Sequence, residues 1–326
     1  MYSVKVERDS INSRSERLTS FVIRMPRVVL AEILTHRVTS ESWGEDFYLC
    51  ERTADRETSK NSASSRAIPF QRMVDSIRSD PYMPMWSLQQ KGMQGELNND
   101  ADKKARADIV WMDHLEESIH AAGELHKLGI HKQDCNRLLE PWAWVTQIVT
   151  SSAWDNFFAL RCHEAAFPPF RKLARMMFLA RRKSTPRKLE AGEWHLPFVD
   201  PEEEKKLNWI PDINLMKTDL EKAIVEIPDL IKYSAARAAW LSYENHDKDG
   251  SHDTMLKTFN RLITDRPCHA SPVEHQATPM HPAWQATWPS LRSNLTGYLQ
   301  ARKLIPYECV YRYEPTDEQI ASWGEG

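Results

Sequence analysis

A chain of 326 residues with 41% hydrophobic and 27% charged residues and a formal net charge of −3 is long enough for one large core or two ordinary ones. This balance describes an ordinary globular protein and not a disordered one, and gives no general attraction to nucleic acid or to an anionic membrane surface. Only 10 glycines and no GxGxxG or GxxxxGK spacing argue against phosphate-loop nucleotide folds, and 5 scattered cysteines without a CxxC pair argue against a zinc ribbon or a disulfide framework.

The N-terminus, "MYSVKVERDSINSRSERL", is polar and lacks a signal-peptide apolar region, and no stretch has the apolar length of a membrane span. A reduced, cytoplasmic protein is the expectation. "LTSFVIRMPRVVLAEILTHR" starts with strand-like alternation and continues after Pro26 as a short helix carrying Leu30, Ile33 and Leu34. Residues 41–60 are charged and read as an exposed excursion. Phe70, Met73, Val74 and Ile77 mark an amphipathic helix ended by Pro81, and the Pro- and Gly-punctuated stretch after it reads as a loop. From Lys103 to Leu128 the pattern is helical with Gly129 as its stop, and Asp134 is the expected cap of the next short helix.

"VTQIVTSSAWDNFFALRCHEAAFPPFRKLARMMFLARRK" reads as a long helical stretch interrupted near Pro168 and Pro169. Residues 184–214 read as a loop-bearing connection, and one helix is expected from Asp219 to Trp240. "DTMLKTFNRLIT" gives another, "SNLTGYLQARK" reads as a last helix, and "ECVYRYE" is strand-like. The sum is one α+β domain over residues 1–326, helix-rich with a small mixed or antiparallel sheet and no internal repeat.

Arg37, Arg66, Arg137 and Arg161 each stand beside apolar or small residues. A half-buried guanidinium needs anionic partners, and its planar fork suits a phosphate or a pyrimidine edge. For any one of them alone, a nearby Asp or Glu is the better partner. Grouped with Asn61, Ser64, Ser65 and Asn156, they point to an anion-binding pocket.

"THRVTS" together with "NSASSRAIP" resembles the R-H-R-x-x-S-x-N-x-x-S-x-R-Y signature of the flavin-dependent thymidylate synthases. His36, Arg37 and Ser40 match its first half, and Asn61, Ser64 and Arg66 its second. "WDNFFALRCHEAAFPPFRKLA" is similar to the family's N-F-x-x-L-R segment through Asn156 and Arg161, and "NRLLEP" to A-R-x-x-L-P through Arg137 and Pro141. "CHASPVEHQATP" resembles H-x-S-P-F-E-H through His269, Ser271, Pro272, Glu274 and His275, and "SAARAAW" resembles A-A-R-x-S. In the family the last two elements precede R-H-R; here they lie within residues 219–326, after everything else. The resemblance therefore implies a circularly permuted, phage-type member, a rearrangement folds survive when their termini lie close together. Thr35, Ser62, Ala67 and Phe167 replace the family's Arg, Glu, Tyr and Gln, Thr150 and Ser152 stand in its N-x-R flavin contact, and residues 41–60 split the signature.

The resemblance implies FAD as cofactor, with methylenetetrahydrofolate and NADPH as co-substrates. The one-carbon unit goes to C5 of a pyrimidine deoxynucleotide monophosphate, dUMP by default. The departures keep dCMP, and a hydroxymethyl product, as the alternative. Arg161 is the catalytic candidate, polarising a pyrimidine carbonyl. Ser64, Ser65, Arg66, Arg137 and Glu32 are assigned to the nucleotide, and His36, Arg37, Ser40, Asn61, Asn156 and His275 to the flavin. A homotetramer with sites built across subunits is also implied.

Cys268 beside His269 is similar to the P-C-H of the cysteine-nucleophile thymidylate synthases, but nothing else of that pattern is present, and it is read as an ordinary thiol. The histidines are read as surface or hydrogen-bonded core residues, with no metal. The acid-free run Arg171 to Lys188 allows a nucleic-acid-binding protein as the reading of another class, although a solvated helix face is commoner.

Overall fold

β1 (Ser3–Asn12) and β2 (Arg17–Pro26) form a hairpin whose turn is closed by a side chain. Asn12 Oδ1 accepts from the backbone N–H of Arg14 and of Glu16, each at 3.0 Å, and Ser15 takes a left-handed conformation at φ 65°. In this computed structural model residues 1–34, 58–62, 64, 68–91, 95–241, 250–264, 268–287, 291, 293–306, 308 and 315–323 are described. A 3-10 turn (Arg27–Val29) leads into α1 (Leu30–Leu34), as the alternation and Pro26 predict.

β3 (Thr58–Ser62), α2 (Phe70–Ser79) and α3 (Ala101–Lys127) follow. α2 buries Met73, Val74 and Ile77, and α3 begins on Asp100, whose carboxylate accepts from the N–H of Asp102 and Lys103 at 3.1 Å. Gly129, at φ 81°, supplies the left-handed residue just past the end of α3. α4 (Lys132–Cys135) and a 3-10 turn (Asn136–Trp142) pack on α2 and α3 around Leu115, Leu139 and Trp142.

β4 (Trp144–Ser151), α5 (Asp155–Arg161), α6 (Pro168–Lys183) and β5 (Arg187–Leu189) complete the first part of the chain. Small helices then alternate with connections: α7 (Pro201–Glu204), α8 (Ile213–Thr218), α9 (Leu220–Glu226), α10 (Asp229–Leu241) and α11 (His252–Thr264). A 3-10 turn (Ser271–Glu274) precedes β6 (Ala277–Pro279), and α12 (Pro282–Thr287), β7 (Tyr298–Gln300), a 3-10 turn (Ala301–Leu304) and α13 (Asp317–Trp323) end the chain.

The main sheet has the order β3-β4-β2-β1-β5. β1 and β5 pair in parallel and its other pairs are antiparallel; β6 and β7 form a separate antiparallel pair. Side chains alternate between the sheet's faces. Phe21, Ile23, Met25, Val145 and Val149 pack with Phe157, Phe158, Phe170 and Leu173 of α5 and α6. Each such fully buried side chain contributes about 1.5–3 kcal/mol. From the opposite face, Leu18 meets Ala277, Leu295 and Tyr298. The C-terminal part has its own core, with Trp194, Ile231, Phe259, Ile263, Val273 and Leu299 at its centre.

The small mixed sheet and helix-rich α+β class agree with the sequence reading, and several elements correct it. Trp144–Ser151 is a strand and not the start of a helix. The expected excursion at 41–60 ends in an edge strand, since Thr58–Ser62 pairs with β4. His131, not Asp134, caps α4, its Nδ1 accepting from Gln133 N at 3.2 Å. The helix expected from Asp219 to Trp240 is two, broken where Ile227 becomes extended (ψ 123°) ahead of Pro228. "SNLTGYLQARK" holds a strand and a 3-10 turn: Gly297 sits at φ 80°, where a Cβ would overlap the Glu16 carboxylate. Most of "ECVYRYE" lies outside the described residues.

Candidate functional site

Arg161 ends α5, and the packing of Phe157 and Phe158 under the sheet fixes where that end points. Its guanidinium lies 5.0 Å from the centroid of the Phe170 ring, a stacking that holds a planar cation in place. Nη1 reaches Glu32 Oε2 of α1 at a long 3.5 Å. Nε is buried and has no partner among the described residues. A guanidinium carries five N–H donors, and a buried donor without an acceptor costs roughly 1–3 kcal/mol. Arg161 is thus held, weakly paired and ready to donate to an anion or a carbonyl oxygen. Asn156 is exposed on the same helix; five residues of helix turn it by about 140° from Arg161, so the two do not share a face.

Arg137 does not have the half-buried setting expected of it. Its side chain is 56% exposed and pairs with Glu140 at 3.2 Å within its own 3-10 turn. Glu140 also takes Arg27, a residue that sequence reasoning missed, at 3.0 Å. Two guanidiniums on one carboxylate leave a local positive charge beside α1, which suits a phosphate. Asn136 Nδ2 donates to Ile68 O at 3.0 Å and ties this turn to the segment that carries the half-buried Ser64. Asn61 lies in β3 opposite Ile148. His36, Arg37, Ser40, Ser65 and Arg66 lie outside the described residues.

His275 follows the 3-10 turn at Ser271–Glu274 and is fully buried. Its Nδ1 is 2.9 Å from Thr150 Oγ1 of β4, and its Nε2 has no partner among the described residues. Burial pushes its pKa down from 6.5 to about 3, so the ring is neutral at pH 7. A second buried imidazole, His195, shares this region; it is held well below its ordinary value by burial, with Arg8 and His275 adding to the effect. Nothing in a loop rich in Pro and Trp singles out His195; only its contacts do.

Three of the eight basic residues in the acid-free run meet acids in the fold. Arg171 and Arg175 meet Glu164 at 2.9 and 2.5 Å, Arg181 Nε donates to Thr19 Oγ1 at 3.2 Å, and Arg187 meets Glu193 at 3.0 Å. These acids come from outside the run and lower its local charge, while Arg182, Lys183 and Lys188 stay exposed. Cys268 packs against the C-terminal core. Among the described residues no helix is long and apolar enough to cross a membrane.

A protein-family model described as thymidylate synthase complementing protein matches residues 17–187, just over half of this chain. Among solved structures, similarity is found to the UMP/dUMP methylase PolB from Streptomyces cacaoi bound with 5-Br UMP, at 15% identity and a TM-score of 0.42 over 56% of this chain and 89% of that one. The same methylase bound with 5-Br dUMP matches at 14% identity and a TM-score of 0.34, over 56% and 88%. None of the curated proteins compared matches.

Proposed function

This chain belongs to the thymidylate synthase complementing protein family, the flavin-dependent thymidylate synthases, and we propose that it transfers a one-carbon unit from methylenetetrahydrofolate to C5 of a pyrimidine deoxynucleotide monophosphate, dUMP in the first instance. The observation that carries the reading is Arg161: a stacked guanidinium with a long contact to Glu32 and a buried Nε without an acceptor among the described residues. Donating to a pyrimidine carbonyl, it stabilises the charge that develops on the ring when C5 bonds to carbon, which removes the need for a cysteine nucleophile. Arg137, with Arg27 beside it on Glu140, and Ser64, Ser65 and Arg66 hold the phosphate.

Asn156, exposed on α5, and the Nε2 of His275, unpartnered among the described residues, are polar groups suited to a flavin, and His36, Arg37, Ser40 and Asn61 complete the set that would hold FAD. Held by these residues and reduced by NADPH, FAD would supply the hydride that completes the methyl group. In this reading residues 219–326 carry the elements that the usual family order places first. The packing of α10 and of the Ser271–Glu274 turn against β3 supports that permutation. A cytoplasmic homotetramer, from a phage-type source, belongs to the same proposal; the exposed apolar side chains of Leu160, Phe167, Phe178 and Leu179 on and beside α5 and α6 support a subunit contact there.

Arg161→Ala lowers turnover by about 10²–10³-fold while flavin stays bound. Full activity in that variant refutes the role of Arg161. A visible flavin spectrum, with binding of dUMP against dCMP, tests the class: a colourless protein that takes up no flavin refutes it.

A further inference from the structure

Five buried polar side chains form one hydrogen-bonded line across the interior. Ser10 Oγ of β1 lies 2.8 Å from His195 Nδ1, and His195 Nε2 lies 2.8 Å from Ser20 Oγ of β2. Ser20 Oγ lies 2.6 Å from Thr150 Oγ1 of β4, and Thr150 Oγ1 lies 2.9 Å from His275 Nδ1. All five side chains are fully buried. At the His275 end the line stops at Nε2, which is buried and unpartnered among the described residues. Apolar side chains at these positions would fill the core without any polar desolvation, so this arrangement calls for a cause other than packing.

The protons can be counted. A neutral imidazole has one donor nitrogen and one acceptor, and each hydroxyl has one proton to give. Suppose Ser10 donates to His195 Nδ1. His195 Nε2–H then donates to Ser20, Ser20 donates to Thr150, and Thr150 donates to His275 Nδ1. Every hydroxyl proton has an acceptor, and His275 carries its own proton on Nε2. Reversing the line leaves the Ser10 proton without an acceptor within it. Reversing only the Thr150 end strands the Ser20 proton in the same way. Five protons serve four contacts, so each full arrangement leaves one over: the first leaves it on the open His275 Nε2, where a ligand acceptor can take it, and the reverse leaves it on Ser10, which has no other acceptor among the described residues. Burial keeps both rings neutral, as this counting requires.

We propose that Ser10, His195, Ser20 and Thr150 are positioning residues that lock His275 with its proton on Nε2, so that it presents a neutral N–H to an acceptor atom of a planar heterocyclic ligand. That atom is a carbonyl oxygen or an unprotonated ring nitrogen. The ligand class rests on the function proposed above, flavin or pyrimidine nucleotide. Neutrality suits this task, because a cation at the same place would draw charge to itself regardless of the ligand's orientation, whereas an N–H sets direction.

The test is long-range 1H–15N NMR on the full chain labelled in its histidines, which separates protonated from unprotonated ring nitrogens. The expected result is His275 as a single Nε2–H tautomer whose Nε2 signal shifts when FAD, dUMP or dCMP is added singly. Thr150→Val, which keeps the shape and removes the hydroxyl, mixes the two tautomers and weakens that ligand about fivefold to tenfold, the scale of one hydrogen bond. Thr150→Ser restores both, and Ser20→Ala repeats the Val result from one step further along the line. An Nδ1–H tautomer in the wild type overturns the proposal, as does a Thr150→Val protein with unchanged tautomer and affinity. An Nε2 signal that responds to none of the three ligands, as it would if only a buried water met it, also overturns it. Flavin uptake without a response at His275 defeats this inference and leaves the function standing; a response to nucleotide without flavin uptake does the reverse.

Discussion

Acid should destabilise this protein well before its carboxylates protonate, because of the two buried imidazoles. Burial lowers the pKa of His275 from 6.5 to about 3 and holds His195 well below its ordinary value. The folded protein keeps both rings neutral while the unfolded chain binds protons below about pH 6.5. Their contribution is therefore complete above that pH and is lost as the pH falls, by about 1.4 kcal/mol per unit for each ring. From pH 6.5 to 4.5 His275 alone removes about 2–3 kcal/mol, and His195 acts in the same sense. Domains of this kind have only about 5–15 kcal/mol to lose. Glu204, whose pKa is raised by burial, opposes the trend, since it binds a proton more readily folded than unfolded. Urea unfolding at half-unit intervals from pH 7 to 4.5 measures the slope, and His275→Gln should flatten it by one proton. A profile flat down to pH 5, or an unchanged slope in His275→Gln, refutes the buried-imidazole account.

Two substitutions test the charge assignments. Glu204 is nearly inaccessible, 3.0 Å from Arg8 and 3.5 Å from Arg187, and accepts from Leu196 N; Glu204→Ala leaves Arg8 buried without its carboxylate and should cost about 3–5 kcal/mol in urea unfolding, so a loss under about 1 kcal/mol would show that the pair is solvated. Arg137→Ala, at an exposed pair, should change stability by less than about 0.5 kcal/mol yet weaken nucleotide binding about tenfold by calorimetry, and unchanged affinity removes Arg137 from the phosphate site.

What the sequence showed and what it hid have one physical cause. α2, α3 and α11 bury one face and leave the other in water, so their periodicity could be read directly. β4 is covered on both faces, and the hydroxyls on its second face interrupt the apolar pattern for internal reasons: Thr150 meets His275, and not solvent. What remains apolar along it, Val145, Ile148 and Val149, falls at i, i+3, i+4, the signature of a helix. Leu295, Tyr298 and Leu299 misled in the same way across Gly297. In the candidate site, residues within motifs could be nominated by resemblance, whereas Arg27 and His195 have no motif and come to notice only through Glu140 and Ser20.

The same contrast separates the arginines. Neighbouring sequence made Arg137 and Arg161 look alike, and the fold divides them by what their donors meet. Arg137 is exposed and paired with Glu140, and water can supply whatever that pairing lacks. Arg161 is drawn against Phe170 with a buried Nε that nothing described satisfies. His275 Nε2 is the corresponding atom beyond the opposite face of the sheet. The core around α5 and α6 offsets the cost of the first, and the hydroxyl line fixes the direction of the second. Because α5 and α6 cover one face and His275 approaches Thr150 from the other, a ligand set that satisfies both atoms must pass round an edge or end of the sheet, or draw the two from different copies of the chain. Both routes give a reason for function to concentrate near β3, the strand at the edge: it follows the split half-motif, carries Asn61, and packs against the turn that leads to His275.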